Sequence, residues 1–245
     1  MKDARPEPEE HDRLLRTLTK TYGNRTSALM VLKVMWRKYI LKMRTGSFYW
    51  LKRIFDIFAS SFLLLCLSPL FIFLILIIKR DGGPAFYSQI RIGRHGREFK
   101  FWKFRSMVVN ADKMKDQLMQ QNESTGGVIF KMKNDPRITS VGRIIRKLSI
   151  DELPQLWNVL RGDMSLVGPR PPLPREVALY TSEERRRLEA EQGITCIWQV
   201  SGRSDIPFDD QVKLDVEYIQ NESLWNDIKL LLKTIPAVIL GKGAS

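Results

Sequence analysis

The run 59–78, ASSFLLLCLSPLFIFLILII, holds no charged residue and is bracketed by Lys52-Arg53 on one side and Lys79-Arg80 on the other. An uncharged stretch of about twenty residues is what a transmembrane helix requires, so it limits what the chain can fold into more than any other feature. Basic residues at both ends pull both ends towards the cytoplasm. Ser68-Pro69 lies at the midpoint, where proline removes a helical hydrogen bond and bends the chain. The Ser68 hydroxyl can satisfy a freed backbone group in lipid. A helix-break-helix hairpin that enters one leaflet and returns accords with this pattern, and so does a proline-kinked span. A buried core helix accords less well, because no other segment is apolar enough to surround it. A cleaved signal peptide fits poorly, since the run starts far into the chain and has no cleavage pattern.

With 245 residues, 44% hydrophobic and 10% aromatic, the chain can bury a core as one domain or two small ones. Lys+Arg 40 against Asp+Glu 27 leaves a charge of +13, which suits nucleic acid, an anionic membrane surface or a phosphorylated substrate. Cys66 and Cys196 show no paired or metal-type spacing, which fits a reducing, cytoplasmic setting. The histidines, His11 and His95, argue against a Ser-His-Asp triad and a His-based zinc site. Residues 1–12 read as a mobile, charged tail. In 27–44, Leu29, Leu32, Met35, Trp36, Tyr39, Ile40 and Met43 recur at helical spacing among Lys33, Arg37, Lys38 and Lys42. Such a basic amphipathic helix lies in a membrane interface or packs on the body of the protein; both readings are open.

FYSQIRI and REFKFWKF flank Gly93-Arg94-His95-Gly96 and predict a β-hairpin within 84–107. Its aromatic and basic residues resemble a nucleic-acid surface in composition, or form an exposed strand face beside a membrane. The second is preferred, with Lys103 and Arg105 as phosphate ligands. A helix is expected over 108–121, then a polar loop, a short strand VIFKMK and a turn at Asp135-Pro136.

From Thr139, Val141, Ile144, Ile145 and Leu148 form one helical face, with Arg143, Arg146 and Lys147 off it. A second helix carries Leu153, Leu156, Trp157 and Leu160, with Gly162 as its stop. Between the two lie adjacent acids, Asp151 and Glu152. Ser149 to Glu152 matches a capping box, and acids favour a helix N-terminus, so helix capping is the plain reading of the pair on its own. Arg146 precedes it on a basic helix, and Pro169-Arg170-Pro171 follows as a stiff loop presenting one guanidinium. Further on, SEERRRLEAEQ reads as a helix with a solvated charged face, ITCIWQV as a buried strand or extended segment, and LWNDIKLLLKTIPAVIL as an amphipathic helix.

The longer string KLSIDELPQLWNVLRGDMSLVGPRP closely resembles the signature of the bacterial sugar transferases, the monotopic phosphoglycosyl transferases that act on polyprenol phosphate. The likeness runs from about Phe48 to the C-terminus, through KRIFDI, Ser68-Pro69, KFRSM, GITCIWQVSGR and LDVEYI. Large members of that family carry transmembrane helices before this core; here the 27–44 segment stands in that place. The resemblance implies transfer of a sugar-1-phosphate from a UDP-sugar to undecaprenyl phosphate with release of UMP. This would be the first membrane step of exopolysaccharide, capsule, O-antigen or glycoprotein glycan assembly, with downstream glycosyltransferases as further partners. It makes Asp151 the nucleophile, Glu152 a ligand of Mg²⁺ and Arg203 a substrate contact, and it favours Arg146 as a phosphate ligand over a solvated helix charge. Arg170, on a loop stiffened by Pro169 and Pro171, suits a nucleotide or diphosphate beside Lys103 and Arg105.

The expected fold is α/β and predominantly helical, a small cytoplasmic catalytic domain with a β-hairpin, anchored by a Ser-Pro-kinked re-entrant helix and interfacial helices. The expected division is a tail and amphipathic helix at 1–47, a membrane segment at 48–82 and a catalytic domain at 83–245, placed on the cytoplasmic face of a bacterial inner membrane among membrane lipids. A basic, non-enzymatic scaffold of envelope assembly is the alternative. Nucleic acid is not an expected partner, since no recognisable nucleic-acid motif accompanies the charge.

Overall fold

A computed structural model describes residues 48–111, 113–114, 135–202 and 206–240. Nearly all of them belong to one compact unit that begins at Leu51. The expectations for 1–47, for the VIFKMK strand and for most of the helix at 108–121 lie outside the described residues.

The apolar run folds as two helices, α1 (Phe48–Cys66) and α2 (Ser68–Ile78), the second continued by a 3₁₀ turn, Lys79–Asp81. The pair bends by 60° at Leu67. Pro69 falls in the first turn of α2, where its missing N–H costs no helical bond. The Ser68 hydroxyl donates to the Leu65 carbonyl at 2.7 Å, taking up an acceptor at the break. Among the described residues no single helix is long and apolar enough to cross a membrane; this bent pair is by length and composition.

Both ends of the bent pair are tied to the same folded body. Lys52, only 4% exposed, forms an ion pair with Asp227 and donates to the Val167 carbonyl at 3.0 Å. Arg53 donates to the carbonyls of Val159 and Leu160. At the other end, Arg105 holds Asp81 and the Ile78 carbonyl. Lys52 and Arg53 therefore do not form a free basic flank, as their sequence position implied; they are spent on internal contacts.

The predicted hairpin is present as β1 (Phe86–Ile92) paired antiparallel with β2 (Glu98–Phe104), in the register Tyr87 to Lys103, Gln89 to Phe101 and Arg91 to Phe99. Side chains alternate across a strand, so Phe99, Phe101 and Lys103 share one face with Tyr87, Gln89 and Arg91. Phe99 and Phe101 enter a core with Leu156, Val159, Met164 and Leu166, while Phe104 points the other way, into a cluster with Leu74, Ile78 and Ile145.

After the hairpin come α3 (Ser140–Lys147), a 3₁₀ turn (Ile150–Glu152), α4 (Gln155–Arg161) and the short strand β3 (Ser165–Val167). Thr139 caps α3 by accepting from the Gly142 N–H at 2.9 Å. Then follow α5 (Pro174–Val177), a 3₁₀ segment (Glu184–Leu188), β4 (Gly193–Thr195), α6 (Ile197–Ser201), α7 (Phe208–Gln220) and α8 (Leu224–Leu240). β3 and β4 pair in parallel. Where β3 ends and β4 begins, the chains approach so closely that a Cβ on Gly168 would lie 2.1 Å from the Glu191 carbonyl oxygen, and one on Gly193 would lie 2.1 Å from the Gly168 nitrogen. Among the described residues the fold is thus mostly helical with two small sheets; the helical bias and the hairpin were expected from the sequence, the parallel pair was not.

Three local expectations are corrected. The charged segment 182–192 forms only a 3₁₀ turn, and Arg187 is buried on Asp215 at 2.7 Å rather than solvated. The segment 194–200 is strand only as far as Thr195 and then turns helical. Ile144, assigned to the apolar face of α3 together with Ile145, is 62% exposed, whereas Ile145 is 2% exposed.

Candidate active site

Asp151 and Glu152 sit in the 3₁₀ turn between α3 and α4. Ser149 makes the corner with φ of 54°, a left-handed conformation rare for a residue with a side chain. The capping-box reading does not hold. Ser149 makes no side-chain cap, α4 has Pro154 at its N-cap, and Glu152 reaches away from the helix. A left-handed Ser149 cannot hold the extended backbone that capping requires, and long-range cations take the Glu152 carboxylate instead.

Those cations come from two directions. Lys103, carried inward on the Phe99–Phe101 face of β2, donates to Glu152 Oε1 at 2.7 Å and lies 3.8 Å from Asp151 Oδ2. Arg170 reaches Glu152 through Nη2 to Oε1 at 2.6 Å and Nη1 to Oε2 at 3.2 Å, a two-pronged pairing suited to its planar fork. Asn158 on α4 fixes this geometry by bonding the edge of β2. It accepts from the Trp102 N–H at 3.1 Å and donates to the Lys100 carbonyl at 2.7 Å.

The two neighbouring carboxyls are driven apart. Asp151 is 7% exposed, and burial raises its pKa against the pull of Lys103, with Glu152 adding to the rise. Burial also disfavours the charged form of Glu152, but Arg170 and Lys103 outweigh it and hold that carboxyl far below its usual range. Arg170 is in turn stabilised in its charged form by Glu152, despite its own burial.

The pair faces a cavity of about 870 Å³. Arg91, Lys103, Arg146 and Arg170 line it beside the acids; Leu63, Leu67 and Leu70 from the bent pair, with Leu231 and Val238 from α8, supply an apolar side. Cations outnumber acids on the polar wall, which suits a multiply charged anion. Arg146 also draws down the Asp151 pKa through its charge.

Of the residues singled out from sequence, Asp151, Glu152, Lys103, Arg105, Arg146 and Arg170 are brought to this one cavity. Arg105 is 7% exposed there, with Nη2 committed to Asp81 and the Ile78 carbonyl. Pro169 and Pro171, which flank Arg170 in its loop, are buried. Ser68 and Pro69 mark the bend and lie outside the cavity lining. Arg203 lies outside the described residues. Sequence reasoning passed over Arg91 and Asn158. The period-2 set Tyr87, Gln89 and Arg91 was the available signal for the first; for Asn158, it was an amide in the middle of an apolar helix.

No group of three or more His, Cys, Asp or Glu side chains suited to a metal ion occurs among the described residues. The adjacent carboxylates nevertheless fit Mg²⁺ in its usual mode, one or two carboxylates completed by substrate phosphates. Both Glu152 oxygens already accept from cations, so such an ion fits only alongside phosphates that take over Lys103 and Arg170.

Comparison with known proteins accords with this geometry. The chain is 51% identical over 207 residues to the galactosyl transferase CpsE of Streptococcus agalactiae, covering 84% of this chain and 46% of that protein. It is 50% identical over 197 residues to the undecaprenyl-phosphate galactose phosphotransferase of Salmonella typhimurium, covering 79% and 41% respectively. The chain thus spans less than half the length of these two relatives. With the exopolysaccharide production protein ExoY of Rhizobium meliloti it shares 44% identity over 197 residues, covering 79% of this chain and 87% of that one. The family model described as "Bacterial sugar transferase" matches residues 47–241, and the chain belongs to that family.

Proposed function

We propose that the protein transfers a sugar-1-phosphate from a UDP-sugar to undecaprenyl phosphate, releasing UMP. The observation that carries this is a pair of adjacent carboxyls on one cation-lined cavity wall, Glu152 held by Arg170 and Lys103 and Asp151 buried beside it. Environments that push neighbouring groups apart in pKa assign them different roles. Glu152, locked as an anion by Arg170 and Lys103, orients; Asp151, buried and loosely matched by Lys103, is the more basic carboxylate and attacks. The names of the relatives support the substrate class: a lipid carrier phosphate and a galactosyl group, or a glucosyl group in the undecaprenyl-phosphate glucose phosphotransferase of Komagataeibacter xylinus.

In the first step an Asp151 oxygen bonds to the phosphorus that bears the sugar, and the bond from that phosphorus to UMP breaks, leaving a phosphosugar on Asp151. A nucleophilic carboxylate divides a difficult transfer into two easier ones. In the second step an undecaprenyl phosphate oxygen bonds to the same phosphorus, the bond to Asp151 breaks, and the carboxylate is regenerated. Arg146, Arg170 and Lys103 bind and orient the phosphates. Glu152, with Asp151 beside it, would hold Mg²⁺, which when bound offsets the charge of the diphosphate.

The chain 48–82 is read as the re-entrant membrane segment and 83–245 as the catalytic domain, on the cytoplasmic face of the inner membrane. The ties of Lys52, Arg53 and Asp81 to one folded body support this, since both ends of a helix pair held by one domain lie on one side of a bilayer. Exposed Phe58, Phe62, Leu65, Ile72, Phe73 and Leu76 on the pair provide the lipid-facing surface. A purely structural scaffold would have no use for the cation-lined cavity.

The test is Mg²⁺-dependent UMP release from a panel of UDP-sugars with undecaprenyl phosphate, together with intact-protein mass when the acceptor is omitted. The expected result is a mass gain of one sugar phosphate, located on Asp151 and absent in Asp151→Asn. Normal turnover by Asp151→Asn would refute the nucleophile, and no UMP release from any donor would refute the activity.

A further inference from the structure

The loop that presents Arg170 has an unusual anchoring problem. Proline has no N–H, so in Pro169-Arg170-Pro171-Pro172 only Arg170 carries a backbone donor, and the loop is held largely through its carbonyls. Three donors hold them: Gly193 N to Pro169 O at 2.9 Å, Ile92 N to Pro172 O at 3.0 Å, and Arg91 Nη1 to Pro171 O at 2.9 Å. Arg91 is the one side chain among the three, and its bond is to the residue that follows Arg170.

Arg91 is itself firmly placed. Nη2 donates to Gln89 Oε1 at 3.1 Å, and the guanidinium lies 5.3 Å from the centre of the Phe101 ring, on the face of the hairpin that carries Lys103. Its Nε is buried without a partner. It shares the cavity wall with Arg170, a second guanidinium. Burial and the charge of Arg170 lower its pKa to about 10, so the fold keeps a cation where a neutral side chain would be easier to bury.

We propose that Arg91 is a positioning residue: by gripping the Pro171 carbonyl from β1 it aims the Arg170 guanidinium at Glu152 and presets the wall that receives the diphosphate of a nucleotide donor. This rests on the proposed function. Arg91 touches the loop and acts through Arg170. A bound diphosphate also relieves the repulsion between the two guanidiniums, which couples loop geometry to ligand charge.

The experiment is a double-mutant cycle on the full chain, with UDP binding read by calorimetry in Arg91→Gln, Arg170→Gln and the double variant, and donor KM and kcat read alongside. Arg91→Gln is expected to weaken UDP binding about tenfold, the scale of one charge-assisted hydrogen bond. The double variant is expected to bind no worse than Arg170→Gln, and donor KM to rise while acceptor KM holds. Multiplying losses in the double variant, unchanged UDP affinity in Arg91→Gln, or a fall in Tm with no change in affinity would each overturn the proposal. Where Arg91→Gln does not fold, Arg91→Lys, which keeps the charge and a single donor, enters the same cycle. Wild-type protein that binds UDP yet releases no UMP from any donor fails the proposed function and leaves the cycle readable.

Discussion

Replacing Lys103 with methionine keeps much of the stem that lies along Phe101 but deletes the charge 3.8 Å from Asp151. At an effective dielectric constant of about 20, a unit charge at that distance is worth roughly 4 kcal/mol, or about three pKa units. That figure is a ceiling. Lys103 stands closer to Glu152, at 2.7 Å, and its side chain is 23% exposed, so part of its field is used or screened elsewhere. A rise in the Asp151 pKa, smaller than that ceiling, is the working expectation. The sign follows from the proposed reaction, in which Asp151 attacks as a carboxylate: a higher pKa means that it is protonated over a wider acidic range. The acid limb of kcat/KM for UMP release, measured over roughly pH 5 to 9, therefore moves to higher pH in Lys103→Met. Lys103→Arg keeps the charge and leaves the limb near its wild-type position. If Lys103→Met turns over too slowly, the pH dependence of the phosphosugar adduct in a single turnover reads the same ionisation. A limb that stays in place, or moves to lower pH, would refute the assignment of Lys103 as the counter-charge of the nucleophile.

Gly168→Ala drives a Cβ to 2.1 Å from a backbone oxygen, and neither strand can yield without losing the parallel pair; a loss of about 3 kcal/mol and a Tm lower by roughly 5–10 °C are expected by calorimetry. A Tm equal to wild type would mean that the strands are less closely set. Arg187→Met strands Asp215, which is 0% exposed, at a cost of about 3–5 kcal/mol near neutral pH. Burial already raises Asp215 to about 6 against the pull of Arg187, and loss of that pull raises it further. The native state then binds a proton that the unfolded chain lacks, so stability returns as pH falls through the raised value. Urea unfolding at about pH 5 and pH 8 should show the variant closer to wild type at the lower pH; the reverse order would contradict the pairing. In a Cys66→Ala background, Leu51→Cys and Arg80→Cys should react with an impermeant thiol reagent from the same side of the membrane. Opposite sides would mean a spanning helix pair.

Much of this architecture was legible because its signals are local. The hairpin announced itself through two β-rich runs around a glycine-bounded turn, and the bend through a proline in the centre of an uncharged run. What could not be read depends on partners distant in sequence. Ser149 and Glu152 had the letters of a capping box, but Lys103 from β2 and Arg170 from the proline loop claim the carboxylate. Arg187 looked solvated because its partner, Asp215, belongs to α7. Lys52 and Arg53 looked like membrane flanks, yet their partners are on α8 and at the C-terminal end of α4. β3 and β4, each three residues long, are too short for any periodicity to appear. Lys103 and Arg105 were legible from the basic hairpin, but Asp151 and Glu152 were legible as a site only through the long string they share with a family, since acids at a helix start are ordinary by themselves.

The contact between Gly168 and Gly193 is made by bare main chain, with no side chain from either residue between the strands. The neighbouring proline loop is therefore located at Pro169 by peptide geometry, with Arg91 holding it beyond Arg170, and the residues lining the far side of the cavity have little say in where Arg170 is held. Substitutions on the far side of the cavity therefore leave the approach of Gly168 to Gly193, and with it the start of the proline loop, in place.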